Sequence, residues 1–214
     1  MVDMNHVLVR IIARISARIF LGPKEGRNEE WLTTTAEYTK NVFITGFILR
    51  VFPRFVRPLV APLLPSYRGL NSNVAAARKI VGGIVRSRRA AEAQSDPQYE
   101  KPTDILQWMM DVATGEEQIP ENLSQRTLIL SLASIHTTAL TMTQALYDLC
   151  ARPQYFEALR QELTEVLLKH GGWQKTVLNH FLKLDSLLKE SQRFNPVFLC
   201  MSPQIPPQTK KRKR

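Results

Sequence analysis

One long apolar segment between two prolines constrains the fold of this chain more than any other feature. Pro120 precedes the segment, and Glu121 favours the positive N-terminal end of a helix. Pro153 excludes helical continuation beyond Arg152. A helix from Glu121 to Arg152 is about 48 Å long at roughly 1.5 Å per residue. Because apolar side chains occur on every side of it, this helix is predicted to be buried on all sides.

A polar stripe interrupts the apolar helix near its middle. Four hydroxyl residues spaced at i, i+3, i+4 and i+7 share one face: Ser134, Thr137, Thr138 and Thr141. Such hydroxyls can bond the carbonyl four residues earlier, which satisfies them within the helix. Alternatively, the stripe faces a cavity in which hydroxyls and the His136 imidazole transfer protons. The residues alone leave both interpretations open.

Length and composition indicate a mainly α chain with a sizeable core. A chain of 214 residues that is 44% hydrophobic suffices for one large domain, or for part of a larger one, and is not disordered throughout. Glycine is scarce and aliphatic residues recur at helical spacing. The two cysteines have no spacing typical of a disulfide framework or a zinc site. Of these, Cys150 is expected to be a small core residue and Cys200 to lie in a tail.

The positive charge is concentrated at the C-terminal end. Net charge is +10, from 29 basic and 19 acidic residues, and five of the basic residues are consecutive at 210–214. The rest of the chain is mildly basic, so nucleic-acid binding by the folded part is not indicated. The basic pentapeptide is either a nuclear-import or polyanion-binding patch, or sequence translated from an intron or a shifted frame. We expect a helical domain over 1–198 and a disordered basic tail over 199–214.

Helical periodicity predicts six further helices around the central one. They are a helix that includes Met4 to Ile19 and ends near Gly22-Pro23, then Asn28–Val51, Leu70–Ala93, Asp104–Ala113, Gln154–Lys169 and a last helix from Phe181 to Arg193. Gly82-Gly83 is expected to interrupt the third helix, Thr103 to cap the fourth, and Trp31 and Phe43 to be buried. The arginine-rich first helix also fits a mitochondrial presequence, although no processing site follows it.

Four prolines, Pro53, Pro58, Pro62 and Pro65, are expected to break regular structure in and directly after the apolar run from Phe52 to Leu64. This run is either a connector packed on the domain or a region that dips into a membrane surface, with Arg50, Arg54 and Arg57 at the headgroups. No stretch is predicted to span a membrane, since the most apolar helix carries too many hydroxyls and a histidine. No secretory signal is predicted at the start of the chain.

The hexapeptide Ala133-Ser134-Ile135-His136-Thr137-Thr138 resembles the oxygen-activation motif of the cytochrome P-450 monooxygenases, (A/G)-G-x-(D/E)-T-(T/S). Ser134 replaces the usual Gly and His136 the usual acid, a form similar to a fungal microsomal subgroup. Other segments also resemble the family: Phe20-Leu21-Gly22 with Asn28-Glu29-Glu30-Trp31, then 102–111, 152–162 and Glu190-x-x-Arg193. The resemblance extends from about Leu8 to Phe194.

This resemblance implies a partial P-450 fold and the family's chemistry, the O2-dependent oxidation of an apolar substrate at a haem iron. By resemblance, Thr137 with His136 and Thr138 relays protons for oxygen activation, while Ala133 and Ser134 lie at the haem and substrate face. Glu190 and Arg193 are implied to form a buried structural ion pair. Fungal relatives commonly modify terpenoids and other secondary metabolites. A reductase partner, bilayer contact by residues 52–64 and a location at the endoplasmic reticulum membrane surface are implied for intact relatives.

The family's cysteine loop, Phe-x-x-Gly-x-Arg-x-Cys-x-Gly, does not occur in this sequence. That loop supplies the thiolate ligand of the haem iron. We therefore expect a truncated fragment of such an enzyme, without its membrane anchor, cytoplasmic or of unknown location, that binds no haem and is inactive by itself. The alternative is a non-catalytic helical interaction module with a nuclear-type tail. Metal hydrolysis is not indicated and no metal site is expected, because the four histidines lack His-Glu-x-x-His or similar spacing.

Overall fold

The computed structural model describes residues 3–94 and 99–196, and across these two ranges the chain is helical and contains no β-strand. The described ranges form eight α-helices: α1 (Met4–Leu21), α2 (Glu29–Val51), α3 (Arg57–Val60), α4 (Pro65–Ala93), α5 (Ile105–Val112), α6 (Pro120–Cys150), α7 (Gln154–His170) and α8 (Leu182–Phe194). Short 3-10 turns lie at Glu25–Arg27, Ala61–Leu63, Gly115–Gln118 and Lys175–His180. The mainly α class is confirmed.

Local sequence signals account for most helix ends. The central helix α6 runs from Pro120 to Cys150, within two residues of the predicted bounds at each end. The Asn28 side chain accepts a hydrogen bond from the backbone N–H of Trp31 at 3.2 Å and so begins α2. Gly22, with φ +99°, ends α1, and Gly171, with φ +70°, ends α7. Glycine suits both positions because side-chain-bearing residues rarely adopt these backbone angles.

The chain divides into two compact units after Thr143. Unit 1 contains α1 to α5 and most of α6, whereas unit 2 contains the end of α6 together with α7 and α8. The sequence has no linker at this boundary, because the boundary falls within a continuous helix.

The core of unit 1 is built from apolar side chains of five helices. It comprises Ala13, Ala17, Phe20 and Leu21 of α1, Trp31 and Leu32 of α2, Ala77, Val81 and Val85 of α4, Leu106 of α5, and Leu123, Leu128 and Ile135 of α6. Of these, Trp31 is the largest side chain that is fully buried. Burying a side chain of this kind stabilises the fold by roughly 1.5–3 kcal/mol.

A buried ion pair joins three helices of unit 1. Arg88 of α4 donates two hydrogen bonds to the Asp104 carboxylate, at 2.8 Å and 2.5 Å. It also donates to the backbone carbonyl of Leu21, the last residue of α1, at 3.2 Å. The Asp104 side chain is 4% exposed. It also accepts a hydrogen bond from the backbone N–H of Gln107 and so caps the N-terminal end of α5. The pair therefore satisfies polar groups at the end of α1 and the start of α5 together.

Unit 2 is held by two carboxylates as well as by its small apolar core of Ala145, Val177 and Phe181. Glu162 of α7 accepts hydrogen bonds from the backbone N–H groups of Lys183 and Leu184, at 2.7 Å and 3.1 Å. The negative charge of Glu162 stabilises α8, because it lies at the positive N-terminal end of that helix. Asp148 of α6 accepts from the buried Ser191 hydroxyl of α8 at 2.6 Å.

Several predictions about the helices were wrong. The helix α4 begins at Pro65 and not at Leu70, and α3 (Arg57–Val60) lies in the run where regular structure was expected to break. Gly82-Gly83 does not interrupt its helix, and α4 is continuous from Pro65 to Ala93. Val81 and Val85, which lie beside the two glycines in α4, are both fully buried. Their packing outweighs the cost of about 1 kcal/mol for each glycine in a helix. Asp104, not Thr103, caps α5.

Several burial predictions were also wrong. The central helix is not buried on all sides, since Ile129, Leu130, Leu140 and Met142 are exposed. Phe43 of α2 is exposed because α2 buries its threonines instead, at Thr34, Thr35, Thr39 and Thr45. Cys150, expected in the core, is exposed. Periodicity identifies an apolar face but does not determine whether another element covers it.

Some expectations concern residues that the structure does not describe. Cys200, the basic pentapeptide at 210–214 and the predicted boundary at 198/199 all lie outside the described ranges. Within the described ranges, no helix combines the length and apolar character that a membrane span requires.

We predict that Asp104→Asn destabilises unit 1 by about 3–5 kcal/mol, because Arg88 then keeps its buried charge without a counter-ion. Asparagine still caps a helix, so the loss reports on the charge. Urea unfolding, followed by circular dichroism and by the fluorescence of the buried Trp31, measures the effect.

The control variant is Glu29→Gln, which removes a carboxylate from an exposed pair with Arg14. Its effect on the unfolding midpoint is expected to be much smaller. A loss below about 1 kcal/mol in Asp104→Asn would show that the buried pair is not what joins the three helices.

Candidate functional site

The polar segment 133–141 lies within the part of α6 that belongs to unit 1. Ile135 and Ala139 are both fully buried and hold the helix against the core of unit 1. The segment is not wholly buried, because Ala133 and Thr138 are exposed and His136 and Thr137 are half-buried. One side of the helix thus packs while another presents a hydroxyl, an imidazole and a small side chain.

The threonine hydroxyls of this segment bond to their own helix. Thr137 Oγ1 donates to the carbonyl oxygen of Ala133 at 2.5 Å, and Thr141 Oγ1 donates to the carbonyl oxygen of Thr137 at 2.9 Å. The local interpretation of the stripe is therefore confirmed for these two residues. A hydroxyl that donates its proton still offers lone pairs, so Thr137 Oγ1 can accept a hydrogen bond from another group.

Ser134 is different, because its hydroxyl contacts another helix. Ser134 Oγ lies 3.1 Å from Ser16 Oγ of α1, a residue 118 positions earlier in the chain. The Ser16 side chain is buried, so this contact is shielded from water. At this position the stripe faces a packed helix and not a cavity.

The His136 imidazole is half-buried beside these hydroxyls. Its Nε2 atom is inaccessible to water and has no hydrogen-bond partner among the described residues. Burial lowers the pKa of His136 below the ordinary histidine value of 6.5. The ring is therefore neutral at pH 7, and each nitrogen can serve either as a proton donor or as an acceptor according to the tautomer.

Glu190 and Arg193 form the predicted ion pair within α8, but the pair is not buried. Arg193 donates from Nε to Glu190 Oε2 at 2.8 Å and from Nη2 to Oε1 at 2.7 Å. These hydrogen bonds lower the pKa of the Glu190 carboxyl. The two side chains are 57% and 62% exposed, so the expectation of burial was wrong for the described residues. Their structural role remains a prediction.

Sequence reasoning missed two residues that contact the predicted segments: Ser16, which contacts Ser134, and Asp148, which contacts α8. Ser16 falls in a run of apolar and basic residues on α1, and Asp148 lies near the end of α6. The polar identity of Ser16 on the buried face of α1 was the available signal, although its partner could not be identified from sequence. Asp148 accepts from Ser191 and from Asn195, the latter at 3.3 Å.

Comparison with known proteins identifies relatives for almost the whole chain. A family model described as Cytochrome P450 matches residues 1–206. The chain is 60% identical over 198 residues to ent-kaurene oxidase P450-4 of Gibberella fujikuroi and 60% identical to ent-kaurene oxidase of Fusarium fujikuroi. These matches cover 92% of this chain and 38% and 36% of the relatives. Cytochrome P450 monooxygenase AN1598 of Emericella nidulans is 53% identical, and 36% of it is covered. The chain thus spans little more than a third of these relatives.

We predict that His136 destabilises the fold as the pH falls. Its pKa is lower in the folded state than in the unfolded chain, so the unfolded state binds more protons between the two values. Stability is therefore complete above about pH 6.5 and decreases as the pH falls through the folded-state pKa. The measurement is the free energy of unfolding at pH 7.5 and pH 5.5, pH values chosen to bracket about 6.5.

His136→Gln is the comparison, because glutamine has a polar side chain that does not titrate. The variant is expected to lose less stability between the two pH values than the parent chain. An identical loss in both proteins would contradict the assignment of this pH dependence to His136.

Proposed function

Because the chain belongs to the cytochrome P450 family, we propose that residues 133–141 of α6 form the oxygen-activation segment of a monooxygenase acting on an apolar substrate. The observation that carries the proposal is the arrangement of His136 and Thr137. A neutral imidazole, whose water-inaccessible Nε2 has no partner within residues 3–94 and 99–196, lies next in sequence to a hydroxyl that can still accept a hydrogen bond. A basic nitrogen and a hydroxyl of this kind are group types that proton relay uses, which supports the proposal.

Bound haem with a cysteine thiolate ligand would supply the reduction and cleavage of O2. The residues of this chain fit one side of such a site and not the other. Ala133, His136 and Thr137 suit a face where oxygen is protonated, whereas neither Cys150 nor Cys200 lies in the family's cysteine loop.

The side chains of the segment have separate proposed roles. Thr137 Oγ1 donates a hydrogen bond to the Ala133 carbonyl, which holds its oxygen in a position to accept a hydrogen bond from another donor. His136 holds or releases a proton at Nε2, in place of the family's usual acid, and Thr138 is an exposed hydroxyl beside it. Ala133 is small and exposed, which leaves room for an apolar substrate. Ser134 fixes the segment to α1.

The names of the relatives indicate which class of apolar substrate to propose. Two relatives at 60% identity are ent-kaurene oxidases, so we propose an apolar terpenoid hydrocarbon as the substrate class for a complete protein of this kind. A reductase would supply the electrons, as the family implies. Both proposals concern the complete protein, since this chain spans 36–38% of those relatives.

For the 214-residue chain by itself, we propose association and not catalysis. Exposed isoleucines form a row on α1, at Ile11, Ile15 and Ile19, and Ile129 of α6 is exposed as well. Exposed apolar surfaces of this kind favour protein contacts. This supports the alternative of a non-catalytic helical interaction module for the isolated chain.

A chimera tests the catalytic proposal. Residues 1–196 replace the matching segment of the Fusarium fujikuroi ent-kaurene oxidase, and substrate oxidation is measured with a reductase. We expect Thr137→Ala in the chimera to lower product formation about a hundredfold, the lower end of what positioned proton transfer contributes. Peroxide release is expected to rise.

Thr141→Ala is the matched control, because Thr141 makes the same bond to its own helix one turn later. It is expected to retain most of the product formation. The chimera should show a thiolate-type band in the reduced carbon-monoxide spectrum, and the 214-residue chain alone should not. Full product formation by the Thr137→Ala chimera would refute the proposed role of this segment.

A second proposed function is contact with a membrane surface by the connector from Phe52 to Leu64. Val51, Phe55, Leu59 and Leu63 are each more than two-thirds exposed, which favours the membrane interpretation over packing on the domain. Arg50 and Arg54 are also exposed and are positioned in sequence to meet anionic headgroups. For the complete protein this suits the endoplasmic reticulum membrane surface.

We predict that Phe55→Ser/Leu59→Ser reduces binding to vesicles of phosphatidylcholine and phosphatidylserine at least about tenfold, given the apolar area removed. Co-flotation with vesicles measures binding. The control, Leu168→Ser/Leu182→Ser, removes two comparably exposed leucines of unit 2. Equal loss in the two double variants would indicate that general apolar exposure, and not the connector, mediates binding.

A further inference from the structure

Most serine and threonine hydroxyls of α6 follow one pattern, and of the two that do not, Thr138 is exposed and Ser134 contacts another helix. Six of them donate to the carbonyl oxygen four residues earlier in the same helix: Ser124, Thr127, Ser131, Thr137, Thr141 and Thr143. Ser134 instead shares a hydrogen bond with Ser16 of α1, with 3.1 Å between the two Oγ atoms. A contact between helices has thus replaced the local bond that serine ordinarily makes in a helix.

Small residues surround Ser16 on α1. Ala13 and Ala17 flank Ser16 on the buried face of α1 and belong to the same core cluster as Ile135. Such small side chains leave room for the two short serine hydroxyls to reach each other. Ser16 is 5% exposed, so losing its partner would leave a buried hydroxyl without a hydrogen bond.

A second, weaker contact shows how α1 and α6 run relative to each other. Thr143 Oγ1 lies 3.4 Å from Asn5 Oδ1, so an early residue of α1 meets a late residue of α6. Ser16 meets the earlier Ser134, and the two helices are therefore antiparallel. The two contacts lie at either end of residues 134–143, which include His136 and Thr137.

We propose that Ser16 is a positioning residue for the oxygen-activation segment. Its hydrogen bond to Ser134 sets the rotation of α6 about its own axis, and the rotation sets where His136 and Thr137 point. Since the hydrogen bonds of Thr137 and Thr141 to the described part of the chain lie within α6, they do not set the orientation of the helix against its neighbours. Ser134 stands where the resembled motif has glycine, which has no hydroxyl to make this bond. The chemical importance of the orientation rests on the proposed function, whereas the positioning itself does not.

The test compares Ser16→Ala, Ser134→Ala and the double variant in the full 214-residue chain. The readouts are the NMR signals of the His136 imidazole and the Thr137 amide, together with urea unfolding. Each single variant is expected to shift both signals in the same direction and to raise the unfolding equilibrium constant roughly three- to tenfold. The double variant should shift the signals no further than either single variant.

Ser124→Ala is the matched control, because Ser124 is a buried serine of the same helix that bonds only to its own carbonyl neighbour, Pro120. It is expected to alter stability without moving the signals of His136 or Thr137. If Ser16→Ala does not fold, Ser134→Gly carries the test, since it removes the same bond and places the family's residue at 134.

Unchanged His136 and Thr137 signals in folded Ser16→Ala or Ser134→Gly would overturn the proposal, as would additive shifts in the double variant. These readouts need neither haem nor turnover. A failure of the Thr137 chimera would therefore leave this result intact, and a failure here would leave the chimera result intact.

Discussion

The buried pair of Arg88 and Asp104 is the interaction on which the rest of unit 1 depends. One guanidinium satisfies a carboxylate that caps α5 and, at the same time, the last carbonyl of α1. Charges this deeply buried are stable only when fully hydrogen-bonded, so α4, the end of α1 and the start of α5 have to meet in one arrangement. The same arrangement brings α1 into the core cluster that holds Ile135 of α6.

The helix α6 shows how a partly buried helix accommodates many hydroxyls. Most of them bond to the carbonyl one turn earlier, which satisfies them without any partner from another element. The consequence is that the helix keeps its regular hydrogen bonding while Thr137 retains lone pairs for another donor. His136 is left with an unsatisfied nitrogen among the described residues, a costly arrangement that is typical of functional positions.

The exposed apolar surfaces are consistent with the small part of its relatives' length that this chain spans. Ile15 of α1, Ile129 of α6 and Phe55 of the connector are exposed in a chain that spans 36–38% of the ent-kaurene oxidases it matches. In a family of larger proteins, such faces have further polypeptide or a membrane to contact. The family membership and the exposed surfaces thus agree with each other.

The sequence by itself determined most of the helices, most of their approximate ends and the family, although not α3 or the start of α4. Pro120, Asn28 and Gly171 act on their immediate neighbours, so their effects are legible without the fold. Only the tertiary structure decided that Ser16 meets Ser134, that α4 continues through Gly82, and that the Glu190 pair is exposed. The physical reason is that capping and periodicity depend on residues a few positions apart. Burial and side-chain pairing depend on elements distant in sequence, whose packing no local pattern specifies.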